Sequence, residues 1–163
     1  ADLWVRADST DADVQVTITE VRPDGVEYLV QSGQLRLSRR NLTDEIGDDL
    51  EVPNDFSEAG VVPLDPGEWA RAQVAIPSFA QAFRAGTRLR VVISSPGHDR
   101  GTWKFDTIGE PGERREIGRG GEHASSIVLS TVTGIDVADG EPPCPSLRGQ
   151  ACRTYAALPN DAA

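Results

Sequence analysis

Few residues in this chain have types and spacings that bear on bond-breaking chemistry. The two histidines stand in Pro96-Gly97-His98-Asp99 and Gly121-Glu122-His123-Ala124-Ser125. A nucleophilic serine at a strand-to-helix elbow requires Gly-x-Ser-x-Gly, because the strained turn admits only small flanking residues. No such pentapeptide occurs; Ser32 in Gln31-Ser32-Gly33 lacks the leading glycine and falls between two strand-like runs. Ser125 and His123 form the remaining couple, but such close neighbours rarely present a hydroxyl in line with a base. Loop histidines, solvated or hydrogen-bonded at a turn, are the expectation. No catalytic residue is assigned.

Metal and cofactor chemistry is equally thin. The His-Glu-x-x-His pattern is absent, and two histidines with two distant cysteines make no zinc set. Calcium takes six to eight oxygens from flexible loops. Asp8, Asp11 and Asp13, and the carboxylates between 44 and 58, are therefore the residues from which an irregular calcium site would be built. A solvated acidic loop explains the same run with less, and no metal ligand is assigned. Gly118-Arg119-Gly120-Gly121 has the look of a phosphate loop, yet no helix follows whose N-terminus would face a phosphate. The sequence implies no cofactor. Trp4, Trp69, Trp103, Tyr28 and Tyr155 include enough aromatic surface for sugar stacking, although a tryptophan on a strand more often belongs to a core or an interface.

The elements that would position these residues read as strands. Val14, Val16 and Ile18 alternate with Gln15, Thr17 and Thr19, placing branched side chains on one face of an extended segment. Pro23-Asp24-Gly25 is a turn, after which Val26, Tyr28 and Val30 alternate again. Ser32-Gly33 is expected to end that run before Leu35 and Leu37 begin another. Further strands are expected around Leu3 and Val5, at Val74 and Ile76, over Leu89, Val91 and Ile93, at Trp103 and Phe105, and from Ile127 to Val132. Between Pro77 and Gly86 the pattern allows at most one helical turn stopped by glycine. About eight antiparallel strands, each half buried, and no sustained helical period point to an all-β sandwich or barrel. The long crossing from Leu37 to Val74 favours a jelly-roll or Greek-key path.

Size and charge narrow the function classes. A chain of 163 residues fits one domain. Sixteen Lys and Arg against 26 Asp and Glu leave a charge of −10, which repels phosphate backbones and anionic lipid heads, so neither nucleic acid nor a membrane surface is expected as a partner. The longest apolar runs fall far short of the roughly 20 residues that span a bilayer. Methionine is absent and Lys104 is the only lysine. Residues 43–60 carry seven carboxylates and no basic residue, interrupting the sandwich pattern around Phe56; this run is the candidate interdomain element. Residues 109–122 form a Gly-rich, charge-mixed loop. The sandwich is assigned to residues 1–133 and a Pro-rich tail to 134–163. Cys144 and Cys152, across a short Pro/Gly loop, suit a disulfide in an oxidising compartment; two unpaired thiols in a reducing one is the alternative. Closing that loop would stabilise by roughly 2–3 kcal/mol.

Several runs together resemble a known family. They are Asp11-Ala12-Asp13-Val14 through Ile18-Thr19-Glu20-Val21-Arg22-Pro23-Asp24-Gly25, Leu35-Arg36-Leu37-Ser38-Arg39-Arg40, and Pro63-Leu64-Asp65-Pro66-Gly67-Glu68-Trp69. Phe83-Arg84-Ala85-Gly86-Thr87-Arg88-Leu89-Arg90-Val91, Ser95-Pro96-Gly97 before Trp103-Lys104-Phe105-Asp106-Thr107, and His123-Ala124-Ser125-Ser126-Ile127-Val128-Leu129 extend the match in order over residues 3–132. The chain resembles the C-terminal domain of X-Pro dipeptidyl-peptidases and cocaine-esterase-like serine hydrolases. That resemblance implies a galactose-binding-like jelly roll whose partners are the α/β-hydrolase and cap domains of a parent chain, where the catalytic Ser, Asp and His reside. It also implies a fragment of a longer enzyme lacking a strand or so before Leu3. The Cys144-to-Cys152 tail is similar to that of secreted bacterial members, implying an extracellular location. The expected role is a non-catalytic accessory domain; an autonomous carbohydrate-binding module is the alternative. No motif specifies an oligomeric state.

Overall fold

The structure, a computed structural model, describes residues 1–45, 47, 50–96, 108–145 and 152–156. It is an all-β chain of antiparallel sheets, consistent with a β-sandwich; no helix among the described residues is long and apolar enough to cross a membrane. Nine strands are formed among the described residues: β1 (Asp2–Ala7), β2 (Asp13–Val21), β3 (Val26–Arg36), β4 (Ala70–Gln73), β5 (Arg88–Ser94), β6 (Arg115–Ile117), β7 (Arg119–Gly120), β8 (His123–Ala124) and β9 (Cys152–Thr154). One sheet has the order β4-β1-β6, a second the order β5-β2-β3-β9, and β7 and β8 make a small hairpin.

The period-2 pattern explains how the first two sheets meet. On β1, Leu3, Val5 and Ala7 point inward and Asp2, Trp4 and Arg6 outward. The inward set packs with Ala72 and Val74 against Val14, Val16 and Leu35 of the second sheet, with Leu37, Leu64 and Ala12 closing the edges. Each fully buried branched side chain of this kind contributes roughly 1.5–3 kcal/mol. A second cluster, Ile18, Tyr28 and Val30, lies further along the same sheet. Its cover is Ile76, Phe79, Ile127, Leu129 and the two cysteines.

β2 departs from the half-buried expectation. It is hydrogen-bonded to β3 on one side and β5 on the other, and both of its faces are buried. Gln15, Thr17 and Thr19, on the face opposite Val14, Val16 and Ile18, are satisfied laterally. Gln34 Nε2 donates to Gln15 Oε1 at 2.8 Å, Gln15 Nε2 donates to Thr17 Oγ1 at 2.9 Å, and Thr19 Oγ1 donates to Glu27 Oε1 at 2.8 Å. The Glu27 side chain, 1% exposed, also receives Arg153 Nε at 2.8 Å and Arg90 Nη1 at 3.3 Å. Burial opposes its ionisation, but the hydrogen bonds from Arg153 and Thr19, with the charges of Arg153 and Arg90, outweigh it and hold the carboxyl below the usual glutamate range.

The Pro23-Asp24-Gly25 turn forms as read: Gly25 donates to the Arg22 carbonyl at 3.1 Å and adopts φ +82°. Three expectations are corrected, at Ser32-Gly33, Leu37 and Ile127–Val132, while residues 77–86 stay within the limit of one turn. Ser32-Gly33 does not break the chain; β3 runs through it for 11 residues. A glycine is needed there because a Cβ at position 33 would overlap the Ala75 carbonyl, where the chain crosses over the strand. Leu37 leaves the ladder for a single 3-10 turn, Leu37–Arg39, held by Asp11 Oδ1 accepting the Ser38 amide at 2.8 Å. Residues 77–86 form no helical turn. Their hydrogen-bonded reversal is Arg84–Thr87, with Gly86 at φ +88°. Ile127 to Val132 is extended but joins no sheet: Ser126 bridges Asp2, and beyond it no described strand runs alongside. The Gly-rich loop, in turn, contains β6, β7 and the turn into β8. The strand expected at Trp103 and Phe105 lies outside the described residues, as do His98 and Lys104.

Two consequences are testable. Gly33→Ala is expected to lower stability by about 2–3 kcal/mol, since the obstruction is backbone; urea unfolding reads this, and a change under 0.5 kcal/mol would contradict the close crossing. Glu27 has a depressed folded pKa, so its contribution is fully present above about pH 4.5, the ordinary glutamate value, and is lost as pH falls below it. Glu27→Gln should therefore be the less stable protein at pH 7, and the difference should shrink as pH falls through the depressed folded pKa. Parallel stability–pH curves would count against the buried ion pair.

Candidate functional site

His123 and Ser125 are both engaged with tryptophans. β7 and β8 are joined by Gly121-Glu122, with Gly121 at φ +61°. Gly118 is required beside this hairpin because a Cβ would strike the His123 carbonyl. The turn thereby delivers the imidazole into an aromatic cluster on the outer face of the β4-β1-β6 sheet. It stacks on Trp69 (centroids 4.7 Å apart, planes at 20°) and meets Trp4 edge-on at 4.9 Å. Ser125 Oγ accepts the Trp4 amide at 3.0 Å. Gly118-Arg119-Gly120-Gly121 is thus the approach to a hairpin, the physical alternative to a phosphate loop.

Arg6 places its guanidinium 4.7 Å from the Trp69 ring centre and pairs with Glu116 at 2.5 Å. The hydrogen bond from Arg6 lowers the Glu116 carboxyl below its ordinary value. Arg71 grips Asp2 with two nitrogens, at 2.8 and 2.6 Å, and this hydrogen bonding lowers the Asp2 carboxyl against the opposing effect of burial. The Trp69 ring is therefore engaged by His123 and Arg6 rather than standing alone as a sugar platform.

The proposed calcium residues have other work. Asp11 Oδ1 accepts the amides of Ala12 (2.9 Å) and Ser38 (2.8 Å), Asp13 takes Arg36 at 3.0 and 3.1 Å, and Asp8 accepts the Arg114 amide at 3.3 Å. Among the described residues no group of three or more His, Cys, Asp or Glu is placed to hold a metal ion.

The acidic excursion within 43–60 is the most distinctive surface feature. Its two limbs touch through a Leu42–Asn54 bridge, the Thr43 amide donating to Pro53 at 2.8 Å and the Asp55 amide to Asn41 at 2.7 Å. Two arginines that follow β3 brace it. Arg39 donates to the carbonyls of Phe56 and Ser57, and Arg40 to those of Leu37, Val62 and Pro63. A guanidinium suits this task because its planar fork reaches several acceptors in fixed directions. Asp55 closes the tip, accepting the Ser57 amide at 2.8 Å; hydrogen bonding to Ser57 lowers its carboxyl. Asn54 Nδ2 ties the loop to the Gln73 carbonyl. On this braced loop Phe56 is 69% exposed, and Leu42 and Leu50 are exposed with it. Residues 46, 48 and 49 are not described. The sequence pointed to Phe56; the bracing by Arg39 and Arg40 was not legible in it, since arginines 17–23 positions from their acceptors leave no local pattern.

The tail folds back through the disulfide that the sequence pointed to and through a strand that it concealed. Cys144 and Cys152 are joined as a disulfide with Cα atoms 5.8 Å apart, and Cys152–Thr154 pairs with Val26–Tyr28 as β9. Arg22, buried over the Tyr28 ring, donates to the Pro142 carbonyl at 3.0 Å and faces Glu141 at 3.2 Å. Tyr155 lies beneath Arg88 and Arg90, each guanidinium 5.2 Å from its ring.

With this geometry established, comparison with known proteins identifies the class. The family model of the X-Pro dipeptidyl-peptidase C-terminal non-catalytic domain matches residues 1–128, and the chain belongs to that family. No curated protein and no solved structure matches it. A non-catalytic domain of a larger peptidase implies a catalytic partner domain.

The aromatic cluster yields a direct test. His123→Ala should cost about 1 kcal/mol in stability and alter tryptophan fluorescence, because both indole contacts are lost. An unchanged emission spectrum would show that the imidazole does not touch the indoles.

Proposed function

We propose that this chain is the accessory domain of an extracellular serine hydrolase acting on peptides, esters or amides. In this reading it is a jelly-roll sandwich that packs on the α/β-hydrolase and cap domains of the parent polypeptide and helps wall their substrate pocket. The observation that carries the proposal is Phe56, held out from an acidic loop that two arginines stiffen, on a chain belonging to a non-catalytic domain family. A rigid loop with an apolar tip is suited to positioning, and positioning matters because a displacement of about 1 Å can cost roughly a hundredfold in rate. The disulfide supports the extracellular part of the proposal, since such bonds persist in oxidising compartments.

Phe56→Ala in the parent enzyme is expected to lower kcat/KM about tenfold while leaving the melting of this domain within about 0.5 kcal/mol of the unaltered protein, as for an exposed residue. Full parent activity would defeat the assignment of the loop. The 163-residue chain alone should neither hydrolyse X-Pro anilides nor take up a fluorophosphonate label; serine-dependent turnover would refute the accessory role itself.

A further inference from the structure

The last strand is seated on its sheet in the manner of a bound peptide. β9 adds to the edge of β3 by a short antiparallel ladder, Val26–Tyr28 against Cys152–Thr154, and the Tyr155 amide extends it by donating to the Gly25 carbonyl at 2.8 Å. An extended segment on a sheet edge draws affinity from main-chain bonds and selectivity from alternate side chains. Cys152 packs inward with Ile18, Tyr28 and Val30. Arg153 and Tyr155 alternate with it and share the other face. There Arg153 Nε reaches the buried Glu27 carboxylate at 2.8 Å, and Tyr155 lies beneath the guanidiniums of Arg88 and Arg90. Glu27 Oε1 is taken by Thr19, whereas Oε2 has, besides Arg153, a longer contact from Arg90 at 3.4 Å. Without β9, that oxygen lies buried with no close cation, which is the condition that selects a basic side chain.

Site and occupant are separable. Gly25 to Tyr28, Arg88 and Arg90 lie inside the stretch matched by the family model, residues 1–128, and Cys152 to Tyr155 lie outside it. The disulfide joins Cys144 to Cys152 within the tail and makes no covalent link to the sheet. Every residue from 131 to 141 is exposed, and this approach holds to the domain through the Arg84 and Arg22 side chains.

We propose that the β3 edge from Gly25 to Tyr28, with Glu27, Arg88 and Arg90, is a recognition site for extended peptides that carry a basic residue and, two positions later, an aromatic one. Arg153 and Tyr155 of the tail occupy it as an intramolecular ligand. This goes beyond the accessory-domain reading and does not depend on it. A flexible tether holds its ligand at an effective concentration near the millimolar range, so a free peptide exchanges with the tail when it reaches that range.

The test uses the hexapeptide of residues 151–156 with Cys152→Ser as probe and amide chemical shifts as readout. In the 163-residue chain carrying Arg153→Ala and Tyr155→Ala, the peptide should shift the signals of residues 25–28 and saturate at or below about one millimolar. The unaltered chain should need at least about tenfold more, as for a site that its own tail fills nine-tenths of the time. Arg153→Glu in the peptide should weaken binding by at least about tenfold, and Tyr155→Ala by about threefold. Absence of shifts at 25–28 in a variant whose β2 amides remain slow to exchange would overturn the proposal, as would equal binding of the Arg153→Glu peptide. Should the double variant lose the protection of β2, Tyr155→Ala alone, which keeps the Arg153–Glu27 pair, gives the same two readings. Protection of amides 152–154 that appears only in a dimer seen by sedimentation would make a second copy's tail the occupant and overturn the intramolecular assignment.

Discussion

The double burial of β2 is the constraint on which the rest of the chain is arranged. One face carries Val14, Val16 and Ile18 and is enclosed by the opposite sheet and by the segments that continue past it. The other carries Gln15, Thr17 and Thr19, side chains that lose their water when β3 and β5 close on both sides. An amide or hydroxyl removed from water without a partner costs on the order of 1–3 kcal/mol. The lateral chain Gln34–Gln15–Thr17 and the pair Thr19–Glu27 avoid that cost. Glu27 then needs cations, and Arg90 from β5 and Arg153 from β9 supply them. The placement of both outer strands thus follows from polar residues in the middle one.

How much of this was legible in the sequence depends on the range of the interaction. β1, β2, the first half of β3 and β5 were readable because alternation is local, and the Pro23-Asp24-Gly25 turn because proline and glycine act on their own torsions. Ser32-Gly33 was misread as a break because its glycine answers to Ala75, over forty positions away. β9 was missed for the same reason: three residues, one a cysteine, have no period, and their pairing is dictated by Glu27. Ile127 to Val132 shows the opposite case, in which the local pattern is that of a strand and no ladder forms among the described residues. At the candidate surface Phe56 was legible as an apolar residue among carboxylates, whereas Arg39 and Arg40, which make it rigid, were legible only as charge.

The same division separates the surfaces. On the outer face of the β4-β1-β6 sheet, Trp4, Trp69 and His123 satisfy one another, with Arg6 and Glu116 at their margin. That face is finished. The loop carrying Phe56 and the run after Ser126 differ from it: each leaves apolar groups in solvent.

The return of β9 has a bearing on how such a molecule is made. Glu27 enters the ribosomal tunnel 126 residues before Arg153 does, so during synthesis the carboxylate waits that many residues of elongation for its closest cation. The sheet acquires β9 last, and a ribosome that stalls before it leaves a nascent product whose interior carboxylate has Arg90 but lacks Arg153. Completeness of translation is thereby registered in the stability of the product.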